Sequence, residues 1–237
     1  MKPHPAGCEG NKGSRSMSEI QTKVVVFDCD GVLVDSVSSW RTLHLHFGTD
    51  NDVNLKRFIR GEITDVEFMQ YDIQLWKSVQ PEIHRDDLFR AYSGIKLMTG
   101  ARDTILRLKS EGIFVAIVSA GVDLFVQSIA GMLEVDDWIA NGLEFDEEGF
   151  LTQDGICRLH ASNKGVIVEK VLNMHGFQPN ECISVGDSEM DLSMHIDGSR
   201  FIGFCPTRES SFKAFEEAGV PIVNNRDLRD ILPHILV

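Results

Sequence analysis

Asp28 and Asp30 stand two residues apart at the end of the apolar run Val24-Val25-Val26-Phe27, and Gly31 follows them. A β-branched run that stops abruptly in acids reads as a buried parallel strand delivering carboxylates at its C-terminal end. Strand side chains alternate between faces, so Asp28 and Asp30 share one face and Cys29 takes the other. Two carboxylates held together without a cation repel and raise one pKa, so the pair implies either a bound metal or divided acid and nucleophile roles. Gly31 permits the tight turn that follows. Taken alone, the pattern is equally an acidic turn at a strand end.

Other reactive groups fall at comparable places. The apolar run Ile113 to Val118 ends in Ser119-Ala120-Gly121, and the run Cys182 to Val185 ends in Gly186-Asp187-Ser188-Glu189-Met190-Asp191. A hydroxyl and small residues whose amides can approach an anion suit phosphate, as does a helix N-terminus just beyond. Lys164, near the start of a predicted helix, can supply the compensating cation. Clustered carboxylates make best sense around a hard, oxygen-ligated cation such as Mg²⁺.

The elements that must bring these groups together alternate. A helix over about 101–110 precedes the strand at 113–119; a helix over 123–133 precedes a short strand near 138–140. Phe145-Asp146-Glu147-Glu148-Gly149-Phe150 reads as a hairpin. A helix over 164–175, a strand over 182–185, a helix from about Glu189, a strand near 201–204 and a terminal helix near 228–235 complete the pattern. Such alternation predicts an α/β fold, a doubly wound, Rossmann-like parallel sheet with helices on both faces, whose ligands bind at the C-terminal strand ends. The three strand ends above therefore converge on one site.

Between the first strand and residue 95 the periodicity is helical. Trp40, Leu43 and Phe47 mark one helix, Leu55, Phe58 and Ile59 a second, and Val66, Met69, Ile73, Trp76 and Val79 a third behind the capping-box start Thr64 to Glu67. The expected organisation is a core of residues 17–36 and 96–237 with a small helical cap, 37–95, inserted after the first strand. The aromatic residues of the cap, Trp40, Phe47, Phe58, Phe68 and Trp76, are expected in its core, and His44 and His46 on its surface. Residues 1–16 have the composition of a disordered tail, with Met17 the expected start.

The 237-residue chain carries a net charge of −13, which argues against nucleic-acid or anionic-membrane partners, since both reward a basic patch. No apolar stretch is long enough to cross a bilayer and no signal-peptide core is present, so a cytoplasmic location is expected. The five cysteines show no CxxC spacing, hence neither a zinc site nor a disulfide framework.

Four segments in order resemble the haloacid dehalogenase-like phosphatases: Asp28-Cys29-Asp30-Gly31-Val32-Leu33 as the first motif, Ser119 the second, Lys164 the third, and Gly186-Asp187 with Asp191 the fourth. The spacing, with a helical cap between the first two motifs, is most similar to the phosphoserine phosphatase branch. The resemblance implies a phosphomonoesterase that works on a small phosphorylated metabolite through an aspartyl-phosphate. Asp28 is then the nucleophile and Asp30 the acid and base. Ser119, Ala120, Gly121 and Lys164 hold the phosphoryl oxygens. Mg²⁺ is bound by Asp28, the carbonyl of Asp30 and Asp187, with Asp191 in or next to that shell.

The chain departs from that branch where substrate is read. Val37 stands at the position of a glutamate that receives the substrate amine, Asp72 at that of a carboxylate-binding arginine, and Met190 at that of an asparagine. Asp72 is the expected contact to a cationic or hydroxyl-bearing substrate. Two rival readings are a phosphotransferase or mutase, and a non-enzymatic phospho-acceptor module; Asp30 and the cap speak against the last. The sequence is silent on the specific ester and on oligomeric state.

Overall fold

The computed structural model describes residues 21–36 and 38–236; the expectations for residues 1–16, for Met17 and for Val37 lie outside the described residues. Among the described residues seven strands form one sheet: β1 (Val24–Phe27), β2 (Phe114–Val122), β3 (Asp137–Phe145), β4 (Leu151–Ile156), β5 (Cys182–Gly186), β6 (Arg200–Phe204) and β7 (Ile222–Val223). Their order is β4-β3-β2-β1-β5-β6-β7. All neighbours run parallel except β3 and β4, the antiparallel hairpin expected around Asp146.

β1 is central and wholly buried, as its unbroken apolar run requires. Its alternation is visible in the packing. Val25, Phe27 and Cys29 belong to one apolar cluster, and Val24 and Val26 to another on the opposite face. Helices α5 (Ala101–Ser110) and α6 (Asp123–Leu133) cover the first face through Ile105, Leu108, Phe125 and Ile129, while α7 (Gly165–His175) and α8 (Glu209–Ala218) cover the second through Val168, Val171 and Phe215.

The segment between β1 and α5 is helical, comprising α1 (Ser39–Phe47), α2 (Asp52–Ile59), α3 (Asp65–Val79) and α4 (Arg85–Ala91). The capping box at Thr64 and Glu67 is present. Leu43, Phe47, Ile73, Trp76 and Leu88 continue the cluster that backs β1, so this segment shares a core with the sheet. It also rests on the hairpin: Lys77 Nζ donates to the Leu151 carbonyl at 2.6 Å, and Gly155 leaves room for Met69, whose side chain would stand 3.1 Å from an added Cβ.

Several expectations need correction. Val66 and Val79, the ends of the predicted apolar stripe, are exposed at 40% and 57%. α2 buries no residue. α4, α8 and β7 were not expected; α4 has seven residues, too few for a period to show, and buries only Leu88. The helix from Glu189 is a 3-10 turn over Glu189–Met194, because the Asp191 side chain folds back onto the Asp187 and Ser188 amides.

Candidate active site

Register brings the motifs together. Phe27 lies opposite Ile117 on one side and Val185 on the other. One residue further, the chain leaves β1 at Asp28, beside the strand ends that carry Ser119 and Asp187. Asp28, Asp30, Ser119, Ala120, Gly121, Lys164, Asp187 and Asp191 all line one cavity of ≈ 200 Å³. Its upper walls are Trp40, Leu55, Phe58 and Ile59 from the helical segment, with Met190, Thr207 and Arg208 at the side.

Lys164, only 3% exposed, is the electrostatic hub. It occupies the N-cap of α7, its amide donates to Ser193 Oγ at 3.0 Å, and its Nζ donates to Asp28 Oδ1 at 2.9 Å and Asp191 Oδ1 at 2.6 Å. Burial works against its charge, yet the charges of Asp191 and Asp28 outweigh it and raise the ammonium's pKa. Burial also raises Asp28, opposed by Lys164.

Asp28, Asp187 and Asp191 each place a carboxylate oxygen within 4.8 Å of the others. This donor set fits a hard cation such as Mg²⁺. The backbone is shaped around it: an added Cβ on Gly31, whose φ is +78°, would stand 2.4 Å from Asp187 Oδ2, and one on Gly186 would stand 2.2 Å from Asp191 Cβ. Burial, then the charges of Asp191 and Asp28, push the Asp187 carboxyl up to about 8.

The carboxylates are not equivalent. Asp191 Oδ1 accepts from Lys164, and its Oδ2 accepts from the Asp187 amide at 3.2 Å, the Ser188 amide at 3.0 Å and the Ser188 hydroxyl at 2.8 Å. Oδ2 is thus fully engaged, while Oδ1 accepts one hydrogen bond. Asp187 feels burial and charge but no hydrogen bond.

Asp30 is held differently. Its Oδ2 accepts from the Ser39 amide and the Ser39 hydroxyl, both at 2.8 Å, while its buried Oδ1 has no partner among the described residues. Burial pushes its pKa up to about 6, against the Ser39 amide and with the charge of Asp28. Gly121 makes this possible, since a Cβ there would come 2.7 Å from Ser39 Oγ and 2.9 Å from Asp30 Oδ2.

Asp72 does not line this cavity. It borders two neighbouring ones, the larger of ≈ 220 Å³, which shares Ser38, Trp40, Leu55 and Arg208 with the first. Asp72 is 1% exposed, and its Oδ1 accepts from His44 Nε2 at 2.8 Å and Asn51 Nδ2 at 2.5 Å. Trp76 Nε1 donates to His44 Nδ1 at 3.2 Å, so Nδ1 carries no hydrogen and Nε2 is the donor. His44 is therefore a buried positioning group, not the surface residue expected.

Sequence reasoning missed Ser39, Ser188, Trp40 and Phe58 as parts of the site. Serines beside a motif carry no signal of their own, and periodicity placed both aromatics in a core. Trp40 instead spans the junction, its Nε1 donating to the Ala120 carbonyl at 2.9 Å.

The family model for haloacid dehalogenase-like hydrolases matches residues 22–196. A phosphoserine phosphatase of Methanocaldococcus jannaschii is 29% identical over 220 residues, covering 92% of this chain and 99% of the relative. Another, of Archaeoglobus fulgidus, is 33% identical over 177 residues, 73% of this chain and 50% of that one. A solved structure described as a phospho-aspartyl intermediate analogue of phosphoserine phosphatase superposes with a TM-score of 0.74 at 28% identity, covering 91% of this chain and 99% of its own.

Proposed function

The chain belongs to the haloacid dehalogenase-like hydrolases and is a phosphatase, and from that premise we propose that Asp28 attacks the phosphorus of a small phosphorylated metabolite while Asp30 serves the leaving group. The observation that carries the division of roles is the different setting of the two acids. Burial raises the Asp28 carboxyl too, but Asp28 lies against a buried ammonium at 2.9 Å, which opposes that rise and favours the charged, nucleophilic form. Among the described residues Asp30 has no cation within hydrogen-bond reach, and it is pushed up to about 6, a value suited to giving and taking protons near neutrality.

Asp28 and Asp187 would hold Mg²⁺ with the Asp30 carbonyl, with Asp191, which also orients Lys164 and the Asp187 loop, in or next to that shell. When bound, the cation supplies charge for the phosphoryl oxygens and keeps neighbouring carboxylates ionised. Ser119 and Lys164, with the amides of Ala120 and Gly121, bind and orient the phosphoryl group. Trp40, Leu55, Phe58 and Ile59 exclude water above it. After the ester oxygen leaves with the Asp30 proton, Asp30 takes one from the water that cleaves the acyl-phosphate.

The leaving group extends past Trp40 and Leu55 toward the second cavity, where the unoccupied Oδ2 of Asp72 accepts from an ammonium or hydroxyl. The cytosol fits the four free thiols among the described residues.

A hydrolysis screen over phosphorylated metabolites, phosphoserine included, with and without Mg²⁺, tests this reading. Metal-dependent release of phosphate by the wild type, abolished in a folded Asp28→Asn variant, is expected. Retained turnover in Asp28→Asn, or no ester cleaved with metal present, overturns it.

A further inference from the structure

Ser39 is fully buried, is the first residue of α1, and touches both the Asp30 loop and the end of β2. The Val122 amide donates to Ser39 Oγ at 3.0 Å. That leaves the single hydroxyl hydrogen for Asp30 Oδ2, 2.8 Å away, and the Ser39 amide, one of the free N–H groups of a helix N-terminus, donates to the same oxygen at 2.8 Å. Two donors on one oxygen stabilise its charge, so a protonated Asp30 carries its proton best on Oδ1. That atom is buried and without a partner among the described residues, in a residue that lines the phosphate cavity.

We propose that Ser39 is a positioning residue for the leaving-group proton: by fixing Oδ2 with two donors, it selects Oδ1 as the proton-bearing atom and aims it at the ester oxygen. This rests on the phosphatase reading with Asp30 as the acid. In the step concerned, the Asp28 carboxylate forms a bond to phosphorus, the bond from phosphorus to the ester oxygen breaks, and that oxygen takes the Oδ1 proton. The need for the proton depends on the leaving group. An alkoxide cannot depart without it, whereas a nitrophenolate can.

The experiment compares kcat/KM for β-glycerophosphate and p-nitrophenyl phosphate in the Mg²⁺-loaded wild type, Ser39→Ala, Ser39→Cys, Asp30→Asn and the Ser39→Ala/Asp30→Asn double variant. Cys keeps the volume but is a weak donor, so it carries the test if Ala does not fold. The expected result is a loss on the alkyl ester about tenfold or more greater than on the aryl ester in either Ser39 variant. The double variant should lose no more than Asp30→Asn alone. Equal losses on both esters, or additive losses in the double variant, reduce Ser39 to a structural residue and overturn the proposal. If Asp30→Asn itself shows no preference for the aryl ester, the role given to Asp30 fails and the Ser39 assignment with it.

Discussion

Lys164 Nζ lies 2.9 Å from Asp28 Oδ1 with both side chains buried, and the same ammonium reaches Asp191. Removing one partner from such a pair leaves uncompensated buried charge, which costs about 3–5 kcal/mol. Lys164→Met, of similar length, should therefore lower the melting temperature of metal-free protein markedly. Its turnover should fall by roughly 10²–10³-fold, the usual cost of a lost charge on a developing oxyanion. Calorimetry and steady-state kinetics on one preparation check both.

Asp187 gives stability a pH dependence. Its carboxyl is raised from 3.8 to about 8 by burial first, then by Asp191 and Asp28. The folded protein thus keeps a proton that the unfolded chain releases, and this contribution is complete below the unfolded value. It is lost as pH rises toward 8. Metal-free protein should melt progressively lower across that window, Asp187→Asn should flatten the dependence, and saturating Mg²⁺ should offset it by mass action. Melting curves at several pH values decide.

Gly31 combines a left-handed φ of +78° with a Cβ position 2.4 Å from Asp187 Oδ2. Gly112, at φ +74°, has open space around it. Gly31→Ala and Gly112→Ala should both lose about 1–2 kcal/mol to backbone strain. Only Gly31→Ala should also weaken Mg²⁺ activation, which titration of phosphatase activity with metal measures.

β1 was legible in sequence because a parallel core strand must be apolar throughout, so acids mark its end; the motif residues from Asp28 to Asp191 then fell to one cavity by sheet topology. The helical segment was less legible. α3 announces itself through a capping box, and Asp72, one turn after Phe68 in the apolar stripe, is buried as that place implies, but its partners His44 and Asn51 come from other segments. Trp40 and Phe58 have the residue type of a core and the position of a cavity wall. Ser39 is recognisable only once the fold brings residues 39, 30 and 122 together.

Asp72 is the specificity test. Asp72→Ala removes the acceptor for His44 and Asn51 and a carboxylate from the lining of the second cavity. It should lose more activity on esters bearing an ammonium or hydroxyl near the phosphate than on p-nitrophenyl phosphate, by about 1.5–3 kcal/mol in relative kcat/KM for a charge-assisted contact. A parallel substrate screen of wild type and variant reads this, and an unchanged profile removes Asp72 from the recognition surface.

The nucleophile can be caught directly. Wild-type protein turning over a radiolabelled phosphate ester with Mg²⁺, quenched in acid and digested, should carry the label on the peptide containing Asp28, and Asp28→Asn should carry none. Turnover with no labelled protein, or label on any other residue, would contradict the account.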